Sequence, residues 1–187
     1  MSTTELKPIL ATREVAIYPD LGEYTIHPGE SLAQAYRGLF HDVAIDKRTL
    51  TDSVRAKIAI KRTAKEEKSL RIGIIHFPRR DYGSVLRSQA KPLLLEHGYR
   101  FGGLGGFLGF VRGCIQIPCP GPVVALGSDM STGRDVVLGL ERVAAKDEGL
   151  VGRIFAMRLR NLNIIISQTP AIQCINVIIV RDIVPSN

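Results

Sequence analysis

A chain of 187 residues that is 45% hydrophobic and 23% charged fits one compact domain, 1–187, with a proper core, and excludes wholesale disorder. Cys114, Cys119 and Cys174 are too few and too irregularly spaced for a disulfide framework, which predicts a reducing, intracellular setting. The net charge is +7 and unevenly spread: residues 51–100 hold 12 Lys and Arg against 5 Asp and Glu, whereas residues 1–50 hold 5 against 7 and residues 101–187 hold 8 against 6.

The opening MSTTELKPIL lacks the charged start and apolar run of a secretory signal. No apolar stretch reaches the about 20 residues that a membrane-spanning helix needs. Residues 13–27 read as two short strands about a Pro19-Asp20-Leu21-Gly22 turn. A helix capped by Ser31 follows, with Leu32, Ala35, Tyr36, Leu39 and Phe40 at helical spacing. His27 and His41 flank it as turn or rim residues, with no nucleophile or carboxylate at a recognisable spacing.

Ser53 to Phe77 is the densest basic stretch and reads as a β-hairpin. Val54, Ala56, Ile58 and Ile60 alternate with Arg55, Lys57 and Lys61, the period of two of a half-buried strand. The polar run 63–68 connects it to a second strand through Leu70, Ile72, Ile74 and Ile75, which Pro78 ends. The alternative is a helix over Thr49 to Lys68, a region free of glycine and proline and rich in Lys, Arg, Glu and Ala.

Beyond Arg79 and Arg80, a helix is expected with Asp81 or Ser84 as cap, an apolar face of Val85, Leu86 and Ala90, a break at Pro92 and a left-handed stop at Gly98. The segment FGGLGGFLGFVRG, residues 101–113, then interleaves six glycines with apolar side chains. Its spacing matches neither the dinucleotide fingerprint nor the phosphate loop. Gly105, Gly109 and Gly113 stand four apart, so one reading is a buried helix that packs closely through its glycines. The other is an exposed apolar loop whose Phe101, Leu104, Phe107, Leu108 and Phe110 insert into lipid or a neighbouring subunit.

Cys114 and Cys119 form C-x4-C, but His76, His97 and Cys174 lie too scattered to complete a metal site, so no metal and no cofactor are expected and the thiols read as buried and inert. CPGP makes a turn into a β-rich C-terminal portion. Its strands are Pro122 to Leu126, a half-exposed one in which Val136, Leu138 and Leu140 alternate with Asp135, Gly139 and Glu141, and an extended Leu150 to Arg160. The β-branched runs Leu162 to Ile166 and Ile172 to Val180, separated by Pro170, read as strands covered on both faces. The fold class expected is α+β: a mostly antiparallel sheet of about seven to nine strands with two or three packed helices.

No catalytic constellation is visible, so the reading adopted is a non-enzymatic structural or assembly protein that self-associates and contacts an anionic partner, a membrane surface or RNA. Viral matrix and coat proteins share these physical features. The expected contacts are Arg55, Lys57, Lys61, Arg62, Arg71, Arg79 and Arg80. Such a surface could also lie peripherally on the cytoplasmic face of a membrane. The alternatives are a small enzyme whose site is assembled from distant residues, an adaptor that binds another protein through the glycine-rich segment, and a basic face that is merely solvated.

Overall fold

A computed structural model describes residues 10–11, 15–37, 43–60, 68–78, 90–114, 121–126, 136–141, 152–158 and 174–183. These form an α+β fold around one mixed, mostly antiparallel sheet. The strands are β1 (Leu10–Ala11), β2 (Ala16–Ile26), β3 (Val43–Ile45), β4 (Lys68–Pro78), β5 (Arg100–Phe101), β6 (Val123–Ala125), β7 (Val136–Glu141), β8 (Gly152–Arg158) and β9 (Cys174–Asp182). The sheet order is β1-β2-β4-β9-β6-β7-β8-β3, with β5 also paired to β9. Two contacts are parallel, β6 with β9 and β3 with β8; the others are antiparallel. Four short helices accompany the sheet: α1 (Leu32–Arg37), α2 (Asp52–Lys57), α3 (Lys91–Glu96) and α4 (Leu104–Gly109), the last running into a π-helical turn, Phe110–Cys114.

The last strand in sequence is central in space. From Cys174 to Val180 every residue of β9 is buried, because alternate side chains enter two different cores. Ile178 and Val180 face the core under α1, α4 and the π turn; Ile175, Val177 and Ile179 face the core under α3. The neighbouring β4 divides in the same way, with Leu70, Ile72 and Ile74 on the first face and Ile75 and Phe77 on the second. A β-branched run without polar alternation is what burial on both faces requires.

Three local expectations are corrected. Residues 16–26 are one strand and not a hairpin: Tyr18 pairs with Ile74 and Gly22 with Ile72, so the Pro19 to Leu21 segment is a bulge along a single partner, with Asp20 at φ 53. β7 is covered on both faces and not half-exposed, because Val137 enters the second core and the Phe155 ring lies over Gly139.

The first strand of the proposed hairpin is the third correction: residues 52–57 are the helix α2. Thr51 caps it by accepting from Val54 N, Asp52 occupies the first turn, and Arg55 and Lys57 occupy the last, complementing the helix dipole at both ends. Only Ile58 to Ile60 is extended. It pairs with the 29–32 segment through Gly29 N to Ile60 O and Leu32 N to Ile58 O.

The second strand of that hairpin, the burial of the final strand on both faces, and the left-handed Gly98 at φ 70 follow the sequence expectations. Pro92 lies in the first turn of α3, where its missing N–H costs nothing, so among the described residues it begins a helix. Leu39, Phe40, His41, Asp81, Ser84, Val85, Leu86, Cys119, Pro170 and the run 162–166 lie outside the described residues.

Candidate functional site

The glycine-rich segment is a buried helix. Leu104, Phe107, Leu108, Phe110 and Val111 are at most 1% exposed and Phe101 is half-buried, so the side chains expected at a lipid or subunit contact form the protein's own core. Bringing those five out would forfeit about 10 kcal/mol of apolar burial, the order of a whole domain's stability. Insertion through them is therefore closed to the folded chain. The glycines permit the packing: a Cβ on Gly106 would stand 2.8 Å from Val180 Cγ1, and one on Gly109 would stand 2.5 Å from Tyr24 Cβ.

The expected anion-binding residues divide. Lys61, Arg62, Arg79 and Arg80 lie outside the described residues. Arg71 and Arg181 are direct cross-strand partners on β4 and β9, an arrangement of like charges that needs compensation. Asp20 supplies it from the β2 bulge, with both carboxylate oxygens 2.9 Å from an Arg181 nitrogen and Oδ2 3.9 Å from Arg71, while Arg71 Nε donates to Glu23 at 3.2 Å. Tyr99 joins them, donating to Asp20 at 2.8 Å beneath the Arg181 guanidinium. This cluster carries no net charge.

Arg55 pairs with Asp52 one turn earlier. Lys57, at the end of α2, is exposed, as are Lys47 and Arg48 in the β3–α2 turn, Arg48 at 84% exposure. Arg48 Nε meets Asp46 at 3.1 Å. Burial pushes the Asp46 carboxyl up, but hydrogen bonds from the Arg48 backbone and side chain, with the charges of Arg48 and Arg153, outweigh it and hold the group below its ordinary range.

A polar constellation that sequence reasoning missed lies on the face covered by α4. Arg112, on the π-helical turn, donates from Nη1 to the Tyr24 hydroxyl and from Nη2 to Glu30 Oε1 at 2.8 Å, and the Tyr24 hydroxyl donates to Glu30 Oε2 at 2.6 Å. The guanidinium carbon stands 4.9 Å from the Tyr24 ring centroid. Burial first, and then the hydrogen bond and charge of Glu30, push the Tyr24 phenol well above its ordinary value, with Arg112 opposing. Tyr24 is thus a fixed hydrogen-bond donor at neutral pH.

Beside this network an open depression of about 490 Å³ is lined by His27, Pro28, Gly29, Glu30 and Gln34. Its far wall is set by a reciprocal cap: Gln34 N donates to Ser31 Oγ at 3.1 Å, while Ser31 N and Oγ donate to Gln34 Oε1 at 2.8 and 2.9 Å. The S-x-x-Q spacing signals that cap in the sequence. Nothing there signals that Arg112, 82 residues from Glu30, completes the site.

No protein-family model matches the chain, and no curated protein and no solved structure matches it either.

Among the described residues no group of three or more His, Cys, Asp or Glu could hold a metal ion, and no helix is long and apolar enough to cross a membrane. The Cys174 thiol is buried, and that burial pushes its pKa up and makes it a poor nucleophile. His76 Nδ1 stands 2.9 Å from Asn176 Oδ1 across the β4–β9 pair, and Asn176 Nδ2 reaches Pro122 O at 3.5 Å. The buried Asn176 thereby fixes the imidazole's orientation within the sheet.

Proposed function

We propose that the protein is a non-enzymatic structural or assembly protein that works in a reducing compartment, associates with itself and contacts an anionic partner through the exposed basic stretch 47–57. The observation that carries this reading is that Lys47, Arg48 and Lys57 are exposed in residues 46–57, where four basic side chains outnumber the two acids, Asp46 and Asp52, which pair with Arg48 and Arg55. The chemistry favours a nucleic-acid backbone over a lipid surface. Among the described residues Leu95 is the exposed large apolar side chain, and it lies on α3, so the basic stretch has no wedge for an interface. Residues 43–60 also contain no aromatic side chain, so there is no platform for unpaired bases, and contact by charge alone suits the phosphates of a helical RNA.

Fluorescence anisotropy with a labelled RNA hairpin across salt concentration tests this. Three cationic contacts give a log–log slope of about −2 to −3. Replacing Lys47, Arg48 and Lys57 by Ala should flatten it and reduce affinity. A slope unchanged by the triple substitution overturns the reading. Co-sedimentation with phosphatidylserine vesicles separates the alternative of a peripheral protein on the cytoplasmic face of a membrane. Light scattering over a concentration series tests self-association, for which a fixed monomer is the contrary result.

A further inference from the structure

The depression beside Glu30 has a hydrogen-bonding character that the polyanion reading leaves unused. Glu30 has about four acceptor positions on its carboxylate and uses two, one for Tyr24 and one for Arg112. Gln34 is oriented by Ser31, whose N and Oγ both donate to its Oε1, which leaves the two Nε2 hydrogens as donors without a partner among the described residues. Acceptors and donors therefore stand on the same rim, in side chains whose orientations are already fixed. Their charge is cancelled internally, because the Arg112 guanidinium sits 2.8 Å from Glu30 and is itself engaged by both terminal nitrogens. A cation would meet a neutralised carboxylate, and an anion would meet a guanidinium whose Nη1 and Nη2 already donate and whose Nε is buried. Pro28 and Gly29 line the depression with His27 and the two polar groups.

From this we infer that the depression binds a neutral polyhydroxylated ligand, a saccharide. One hydroxyl of a vicinal pair donates to the remaining lone pairs of Glu30, the neighbouring hydroxyl accepts from Gln34 Nε2, and the C–H face of the ring lies against Pro28. Neutral hydroxyls both donate and accept, so they satisfy a site of mixed polarity that fixed charges of one sign would leave half unpaired. The Arg112 and Tyr24 contacts hold Glu30 in place before the ligand arrives, which reduces the ordering cost of binding. With an open site and few contacts, the dissociation constant is on the order of millimolar.

The test is a titration of the full chain, labelled with nitrogen-15, by glucose, mannose and N-acetylglucosamine, with methylammonium and inorganic phosphate as charged controls. At least one sugar should shift the amide signals of Gly29 and Glu30 and the side-chain NH2 of Gln34 saturably, while the two ions leave them in place. Gln34→Glu keeps the acceptor that the Ser31 cap requires and removes the donor, so this variant should fold normally and lose sugar binding at least tenfold. Glu30→Gln should weaken binding as well, but it also loosens the network, so Gln34→Glu is the deciding variant. Absence of any saturable shift with the three sugars overturns the inference. So does an equal response to phosphate or methylammonium, or unchanged binding by Gln34→Glu.

Discussion

Gly109 decides how closely helix α4 approaches the sheet. A methyl group there would collide with Ile72 Cδ1 and Tyr24 Cβ, both in the packed core, whereas one at Gly113, a turn further on, would meet nothing within 4 Å. Gly109→Ala should therefore destabilise by about 2 to 3 kcal/mol, and Gly113→Ala should fall within about 0.5 kcal/mol of wild type, read from urea midpoints. Equal effects would mean that the close approach does not limit packing.

Two tyrosines make stability depend on pH at the alkaline end. Burial, then the hydrogen bond to Asp20 and its charge, push Tyr99 up to about 12, partly offset by Arg181, and Tyr24 moves in the same direction. In the unfolded chain both ionise near 10.0. Between that value and about 12 the folded protein retains protons that the unfolded chain has released, so stability present below pH 10 is lost as pH rises through this window. Urea midpoints should fall across it, and Tyr99→Phe should make the fall shallower. An unchanged slope in that variant would show that Tyr99 is not linked to folding.

At the scale of elements, the β2 bulge does electrostatic work for a strand pair to which it does not belong. Arg71 and Arg181 oppose each other on β4 and β9, and the left-handed Asp20 places its carboxylate between them. All three side chains are more than a third exposed, so the compensation is discounted for solvent. Asp20→Asn should cost about 1 kcal/mol at low salt and less at high salt, where repulsion between the arginines is screened. A loss independent of salt would assign Asp20 a role in backbone conformation only. α2 shows local signals prevailing over a pattern: the alternation from Val54 to Ile60 suits a strand, but the Thr51 cap and the well-placed end charges stabilise a helix over its first half.

For the whole molecule, the last of the described strands sits in the middle of the sheet. β9 pairs with β4 along one edge and with β5 and β6 along the other, and it supplies side chains to both cores. A chain ending at residue 173 should therefore lack cooperative unfolding and dispersed amide signals, because β4 and β6 lose the partner between them. A folded truncated chain would contradict this account of the core.

Several features were written in local sequence. The β-branched run of β9, the apolar run through Leu70 to Ile75 and the glycine stop at residue 98 each follow from periodicity or backbone preference within a few residues. Tertiary structure alone decided what depends on distant neighbours. It turned the Pro19 to Gly22 segment from a turn into a bulge, since both flanks pair with β4. It covered β7 on both faces and, by burying the Phe107 and Phe110 rings, decided between the two readings of residues 101–113. It also neutralised Arg71 with acids of β2 and brought Arg112 to Tyr24 and Glu30 from a distant segment. Local sequence sets dihedral preference and periodicity, whereas charge compensation and polar sites arise only where packing brings remote side chains within hydrogen-bonding distance.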